Sequence, residues 1–283
     1  MFFPKVRLFI IKYRLQYSSL LVIAVALLIL FFTQFILPSG SFYQTEYVST
    51  WGTLFGAVIG GGFTLLGTQF ESQKEIQGRF HIKQKHEILS PLYDELKEIH
   101  EVILSHNPYP VIVRFEKSAQ TIVPHPQYAI WGKIKIDTRY FDTPKSLTIE
   151  MEKLYDAISN YISYRPVAAN AVVALTNELL LSELGFTCPI INLGDTLLRH
   201  IAKGQIDHFI EDAGNLLFLG NEEATSNISE EDKRNTYQLI LSKCNELPEV
   251  IKIKSLYAGW MDQEARTIEL LRVLIESINY KYH

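Results

Sequence analysis

Two residues with the right chemistry for RNA cleavage lie just after the most apolar part of the chain. Arg79 and His86 follow the pattern R-x6-H. In such a pair the imidazole acts as general base or acid, and the guanidinium stabilises the phosphorane-like charge of the transition state. Two residue types at a loose spacing also match by chance, and a position beside a membrane segment is awkward for RNA. A ribonuclease is therefore an alternative hypothesis, not the leading one.

The other residues with metal-binding or nucleophilic chemistry form no pattern that indicates an enzyme. None of the eight histidines follows an acid three positions earlier, and the chain has no HExxH, Walker A loop or GxSxG. Cys188 and Cys244 are expected to be buried apolar groups in a reducing cytosol. We therefore expect no catalytic residues, no cofactor and no metal. One acidic cluster is a conceivable metal site, although a solvated helix surface explains it better: Asp207, His208, Glu211 and Asp212.

Two charge-free segments, 15–37 and 48–70, dominate the N-terminal part of the chain. Each is long enough to cross a hydrocarbon core of roughly 30 Å as a helix, and a helix satisfies its own backbone in lipid. The sequence therefore predicts a two-helix transmembrane hairpin joined by an external loop, 38–47. The alternatives are a cleaved signal peptide that ends near Ser41 and a buried core hairpin of a soluble protein.

Basic residues predict the orientation of this hairpin. The arm 1–14 carries four lysines and arginines and no acid, the loop 38–47 carries only Glu46, and basic residues return after residue 70. By the positive-inside rule both termini are cytoplasmic, and we expect a multi-pass membrane protein. Residues after position 70 hold 23 basic and 30 acidic side chains. Because this part is acidic, we expect no direct binding of nucleic acid.

The second charge-free segment carries small residues at every fourth position. This spacing places them along one slightly drifting stripe of a helix, where they let another helix approach closely. The stripe packs either against the first segment or against further copies of the chain, which predicts a possible homo-oligomer. The transmembrane packing residues are Gly52, Gly56, Gly60 and Thr64, continued by Thr68.

Residues 71–283 are predicted to form a mainly α cytoplasmic domain with a small β-like insertion between 107 and 143. The insertion is indicated by four prolines and by the short runs VIVRF and IWGKIKI. Pro91 is expected to kink its helix, and Pro166 to separate two helices. Ser229 is predicted to cap a helix, and Gly185 to end one. A stripe in the last helix is expected to be a core face: Met261, Ala265, Ile268, Leu271, Ile275 and Ile278.

This layout resembles a known group of bacterial proteins. A basic arm, two spans with the second reading WGTLFGAVIGGGFTLLG, and an acidic helical domain with WGKIKIDTRYFDTP are similar to two-span membrane proteins of anti-phage loci, in particular the transmembrane effectors of retrons. The resemblance implies a toxin-like, non-enzymatic effector of the bacterial inner membrane. A protein or ribonucleoprotein partner holds it silent, and it causes abortive infection by perturbing the lipid bilayer. The R-x6-H spacing resembles that of HEPN-type ribonucleases. A passive membrane anchor or scaffold is the other alternative.

Overall fold

The computed structural model describes residues 44–117, 125–187, 194–204, 217 and 228–282, and these are mainly helical. The segment 15–37, Cys188 and the cluster around His208 lie outside the described residues. The chain divides into two compact units, with the boundary between Phe80 and His81. In order, the helices are α1 (Gln44–Gln84), a π-helical turn (Lys85–Leu89), α2 (Ser90–Ser105), α3 (Ala129–Ile136), α4 (Arg139–Asp142), α5 (Lys145–Leu184), α6 (Gly194–Lys203), α7 (Glu230–Glu246) and α8 (Pro248–Tyr282).

The π-helical turn lies directly before Pro91 and explains how the chain continues past it. A proline has no N–H to donate, so the carbonyl four residues earlier, that of Glu87, loses its usual helical partner. The wider turn at Lys85–Leu89 separates the proline ring from this carbonyl. Arg139 Nη1 donates to the Glu87 carbonyl at 3.4 Å. A side chain of another helix thus supplies the missing hydrogen bond.

The expectation that Pro166 separates two helices is wrong, because α5 runs unbroken through it as a helix of 40 residues. A proline inside a helix loses one hydrogen bond and costs about 3 kcal/mol in isolation. In this helix both halves are packed, with Leu154 and Ile158 buried before Pro166 and Val172 and Leu180 buried after it. Tertiary burial on both sides therefore keeps the helix continuous.

Gly185 ends α5, as the sequence predicted. Its φ of +76° lies in the left-handed region that favours glycine, and its N–H donates to the Leu181 carbonyl at 3.1 Å.

The insertion contains helix where the sequence predicted a β-prone run. IWGKIKI lies within α3, and its two buried side chains, Trp131 and Ile134, are three residues apart. The alternating interpretation was therefore wrong, because a period of about 3.6 places both on one helical face. The run VIVRF contributes only an isolated bridge between Arg114 and Gln127, the one β-pairing in the part of the chain that the structure describes.

The core of the second unit forms where α8 packs along α5, with α2, α6 and α7 around this pair. The predicted stripe of α8 is a core face: Leu271 and Ile278 are buried, Met261, Ile268 and Ile275 are partly buried, and Ala265 is exposed. Ser229 caps α7 as predicted, since its Oγ accepts the Asp232 N–H at 3.1 Å. In the first half of this stripe, however, the buried residues are Trp260, Glu264 and Thr267, one position before those predicted.

Candidate functional site

The predicted packing stripe lies on α1, within the first unit. Gly52, Gly56 and Gly60 are exposed there, and among the described residues no atom lies within 4 Å of a Cβ built at any of them. Among the described residues, the glycines therefore leave room for the close approach of another helix or of lipid. This arrangement provides the close approach that small residues allow.

The two threonines that continue the stripe have hydroxyl groups bonded to their own helix. Thr64 Oγ1 donates to the Gly60 carbonyl at 2.8 Å, and Thr68 Oγ1 donates to the Leu65 carbonyl at 3.0 Å. A hydroxyl bonded this way does not need water. The stripe therefore presents methyl groups and glycine backbone, a surface that suits an apolar surrounding.

Large apolar side chains of the same helix are also exposed. Phe63 is 71 % exposed, and four more large apolar side chains of α1 are also exposed: Ile59, Leu65, Phe70 and Ile76. Burial of a large apolar side chain is worth about 1.5–3 kcal/mol. Exposing several of them on one helix, four of them within its charge-free part 48–70, is unfavourable in water, so lipid or protein is expected to cover them.

The helix whose length and composition would allow it to span a membrane is not α1. Among the described residues, one helix is long and apolar enough to span a membrane, namely Lys145–Leu184. This helix, α5, contributes eleven buried residues to the core of the second unit. A core helix of a soluble domain meets the same criterion, so this finding gives only weak evidence of membrane association. The two-helix hairpin stays a prediction.

The two residues of the ribonuclease hypothesis each have a defined setting. Arg79 Nη2 donates to Glu75 Oε1 at 2.6 Å, and both side chains are exposed on α1. His86 is exposed in the π-helical turn. The guanidinium is thus engaged by a carboxylate of its own helix, an arrangement typical of a charged helix surface.

A buried polar network that the sequence did not indicate lies between α2, α3 and α8. The side chain of Glu264 is fully buried, at 0 % exposure. Its Oε2 lies 2.9 Å from His100 Nδ1, and its Oε1 accepts the Tyr128 hydroxyl at 2.6 Å. Trp260 Nε1 in turn donates to the Tyr128 oxygen at 3.0 Å. All four side chains are therefore linked, and they join three segments that are distant in sequence.

The protonation equilibria of this region follow from burial and from these hydrogen bonds. The hydrogen bond to Glu264 raises the pKa of His100, while burial opposes this change. Burial first, and then the negative charge of Glu264, raise the pKa of Tyr128 well above its usual value. Nearby, burial raises the pKa of Glu95 to about 7, although the N–H groups at the start of α3 lower it in part.

A second network fixes the start of α6 to α5. Arg165 is buried, and its Nε donates to Asp195 Oδ1 at 2.8 Å. Its Nη1 donates to the Tyr161 hydroxyl at 2.9 Å and to the Tyr109 carbonyl at 3.1 Å. The charge is thus balanced and hydrogen-bonded, as a buried cation requires.

Both networks connect elements within the core and do not form an open site. In the described ranges no group of three or more His, Cys, Asp or Glu side chains is placed to hold a metal ion. The sequence signal for Glu264 was its position: it lies seven residues before Leu271 and four after Trp260, on the buried face of α8. An acid at such a core position indicates a buried partner, but not which one.

Comparisons with known proteins add no relative. No protein-family model matches the chain, and no curated protein and no solved structure is significantly similar to it.

Proposed function

We propose that this chain is a membrane-anchored effector of bacterial anti-phage defence that acts by perturbing the inner membrane. In this proposal the segments 15–37 and 48–70 form the hairpin, both termini are cytoplasmic, and the helical domain binds a protein or ribonucleoprotein partner that keeps the effector silent. Release by infection leads to association of hairpins and to abortive infection. No enzyme activity is required.

The observation that supports this proposal is the surface of α1. One charge-free helical segment combines an open glycine stripe with exposed large apolar side chains such as Phe63. Lipid is a favourable surrounding for the apolar side chains, and the stripe offers a surface for a second helix. A helix of this composition in water is expected to aggregate.

The test compares glycine substitutions on two faces of the same helix during expression in bacterial cells. Gly56→Leu blocks the stripe, whereas Gly62→Leu, about 120° around the helix on the side away from Gly60 and Thr64, adds the same side chain outside it. Both positions have room for a Cβ among the described residues, so neither change clashes locally. We expect Gly56→Leu to abolish depolarisation, measured with a potential-sensitive dye, and Gly62→Leu to retain it at equal abundance in the membrane fraction.

Three other outcomes exclude the proposal in different ways. Intact membrane potential on strong expression of the wild type, in cells without the partner, indicates a passive anchor. If cellular RNA is cleaved on expression of the wild type but stays intact on expression of His86→Ala, the protein is a membrane-tethered ribonuclease. Depolarisation that persists with Gly56→Leu shows that the stripe is not the acting surface.

A further inference from the structure

Three segments meet at one end of the second unit, where the chain enters it. Gln84 donates through Nε2 to the Asp142 carbonyl, and Lys85 Nζ donates to Asn279 Oδ1 at 2.6 Å. His81 stacks on Tyr282, with 5.5 Å between ring centroids. We call this surface the entry face and define it by residues 81–87, 135–142 and 279–282.

The entry face carries the most exposed large apolar side chains of the described part of this unit. Tyr280 is 95 % exposed, Ile136 is 87 % and Phe141 is 86 %. Every other large apolar side chain described in the unit is at most 57 % exposed. These three side chains come from three helices, α3, α4 and α8, so their common location is produced by the fold and not by one segment.

The charge of the entry face differs in sign from that of the unit around it. Its three segments carry five lysines and arginines and three acids, whereas residues after position 70 carry 23 basic and 30 acidic side chains. Lys83 and Lys135 are exposed. A basic surface with protruding aromatic and aliphatic side chains fits the headgroup layer of an anionic bilayer, because the charges attract anionic lipids and the apolar groups insert between them.

We propose that the entry face binds the anionic headgroup layer of the membrane. The proposal rests on the proposed function, since it assumes that 48–70 lies in that membrane. Only ten residues, 71–80, separate this segment from His81, so the tether is short. Tyrosine is enriched at membrane interfaces because its ring is apolar and its hydroxyl remains hydrated, which suits Tyr280.

The experiment measures the alkylation of cysteines in the full-length protein in lipid nanodiscs. The probe is Thr138→Cys, an exposed position of the entry face, and the control is Ile251→Cys, at the opposite end of α8 from Tyr280. A water-soluble maleimide is added, and each site is followed separately by peptide mass spectrometry. Discs of phosphatidylcholine alone are compared with discs that also contain phosphatidylglycerol.

We expect the probe at 138 to react at least about tenfold more slowly in the anionic discs, since each lysine near the surface contributes to the binding. The control at 251 reacts equally in both. Adding Phe141→Glu and Tyr280→Glu to the probe variant restores the fast rate, whereas Ile251→Glu, at another exposed apolar position, does not.

Equal reaction of the probe in both kinds of disc overturns the proposal. Protection that appears in detergent and rises with protein concentration also overturns it, because that result indicates a second copy of the chain on this face. Failure of the full-length chain to enter nanodiscs at all is a separate result, which contradicts the membrane anchoring assumed in the proposed function.

Discussion

Replacement of His100 tests the buried network most severely. His100→Leu removes the imidazole that is hydrogen-bonded to the fully buried carboxyl group of Glu264. Removing one partner of a buried ion pair costs about 3–5 kcal/mol, because the remaining charge stays buried without compensation. The His100 side chain is itself 24 % exposed, so we expect the lower end, about 3 kcal/mol, or two orders of magnitude in the unfolding equilibrium.

The double variant gives the sharper result. In His100→Leu combined with Glu264→Leu the buried carboxyl group is removed together with its imidazole partner. The Tyr128 hydroxyl, which still accepts from Trp260, loses its acceptor, and this costs about 1–3 kcal/mol. The double variant is therefore expected to be more stable than His100→Leu alone. The assay is denaturant unfolding of the full-length protein in mild detergent, followed by tryptophan fluorescence and circular dichroism.

A matched control comes from the same helix. Arg272 forms ion pairs with Glu269 and Glu276, and all three side chains are about half exposed. Exposed pairs contribute at most about 1 kcal/mol, so Arg272→Ala has a small effect. The reasoning is refuted if His100→Leu costs no more than Arg272→Ala, or if the double variant is as unstable as the sum of its single changes.

Three further predictions concern the packing around the insertion and α7. Burial raises the pKa of Glu95 from 4.5 to about 7, so the folded state binds its proton more tightly and stability falls as pH rises from about 4.5 through 7. Glu95→Gln removes this decrease in unfolding free energy with pH. The pKa difference sets an upper bound of about 3 kcal/mol on the decrease, and partial exposure of the side chain makes it smaller. Gly132→Ala lowers the unfolding midpoint clearly, because a Cβ there meets the carbonyl oxygen of Phe115, whereas Gly259→Ala, with no described atom within 4 Å, does not. Ser229→Ala removes the cap on the Asp232 N–H and costs about 1 kcal/mol in the same assay, and an unchanged midpoint contradicts the cap.

The parts of the fold that depend on local sequence were predictable. The cap at Ser229, the stop at Gly185 and the inward positions Leu271 and Ile278 of α8 follow from residue preferences and helical periodicity. The run IWGKIKI was misinterpreted because a short apolar run fits both a strand and a helix. Its N–H at Ile130 is bonded by Glu95 at 2.9 Å, a contact that stabilises the start of a helix.

The polar networks depend on contacts between distant residues and were not predictable. His100 and Glu264 are 164 positions apart, and Tyr128 and Glu264 are 136 apart. A single sequence shows which residues of a helix share a face, but it does not show which buried acidic side chain contacts which basic one. Pro166 was misjudged for a similar reason, since packing on both sides of α5 outweighs the local preference of proline.

The most direct test of membrane anchoring is extraction of the full-length protein from bacterial membranes. Membranes are washed with alkaline carbonate, which releases peripheral proteins, and then with detergent. The account predicts that the protein stays in the pellet after carbonate and enters solution only with detergent, because 48–70 is more stable among acyl chains than in water. Full release by carbonate, or a soluble protein in detergent-free lysate, contradicts the central claim.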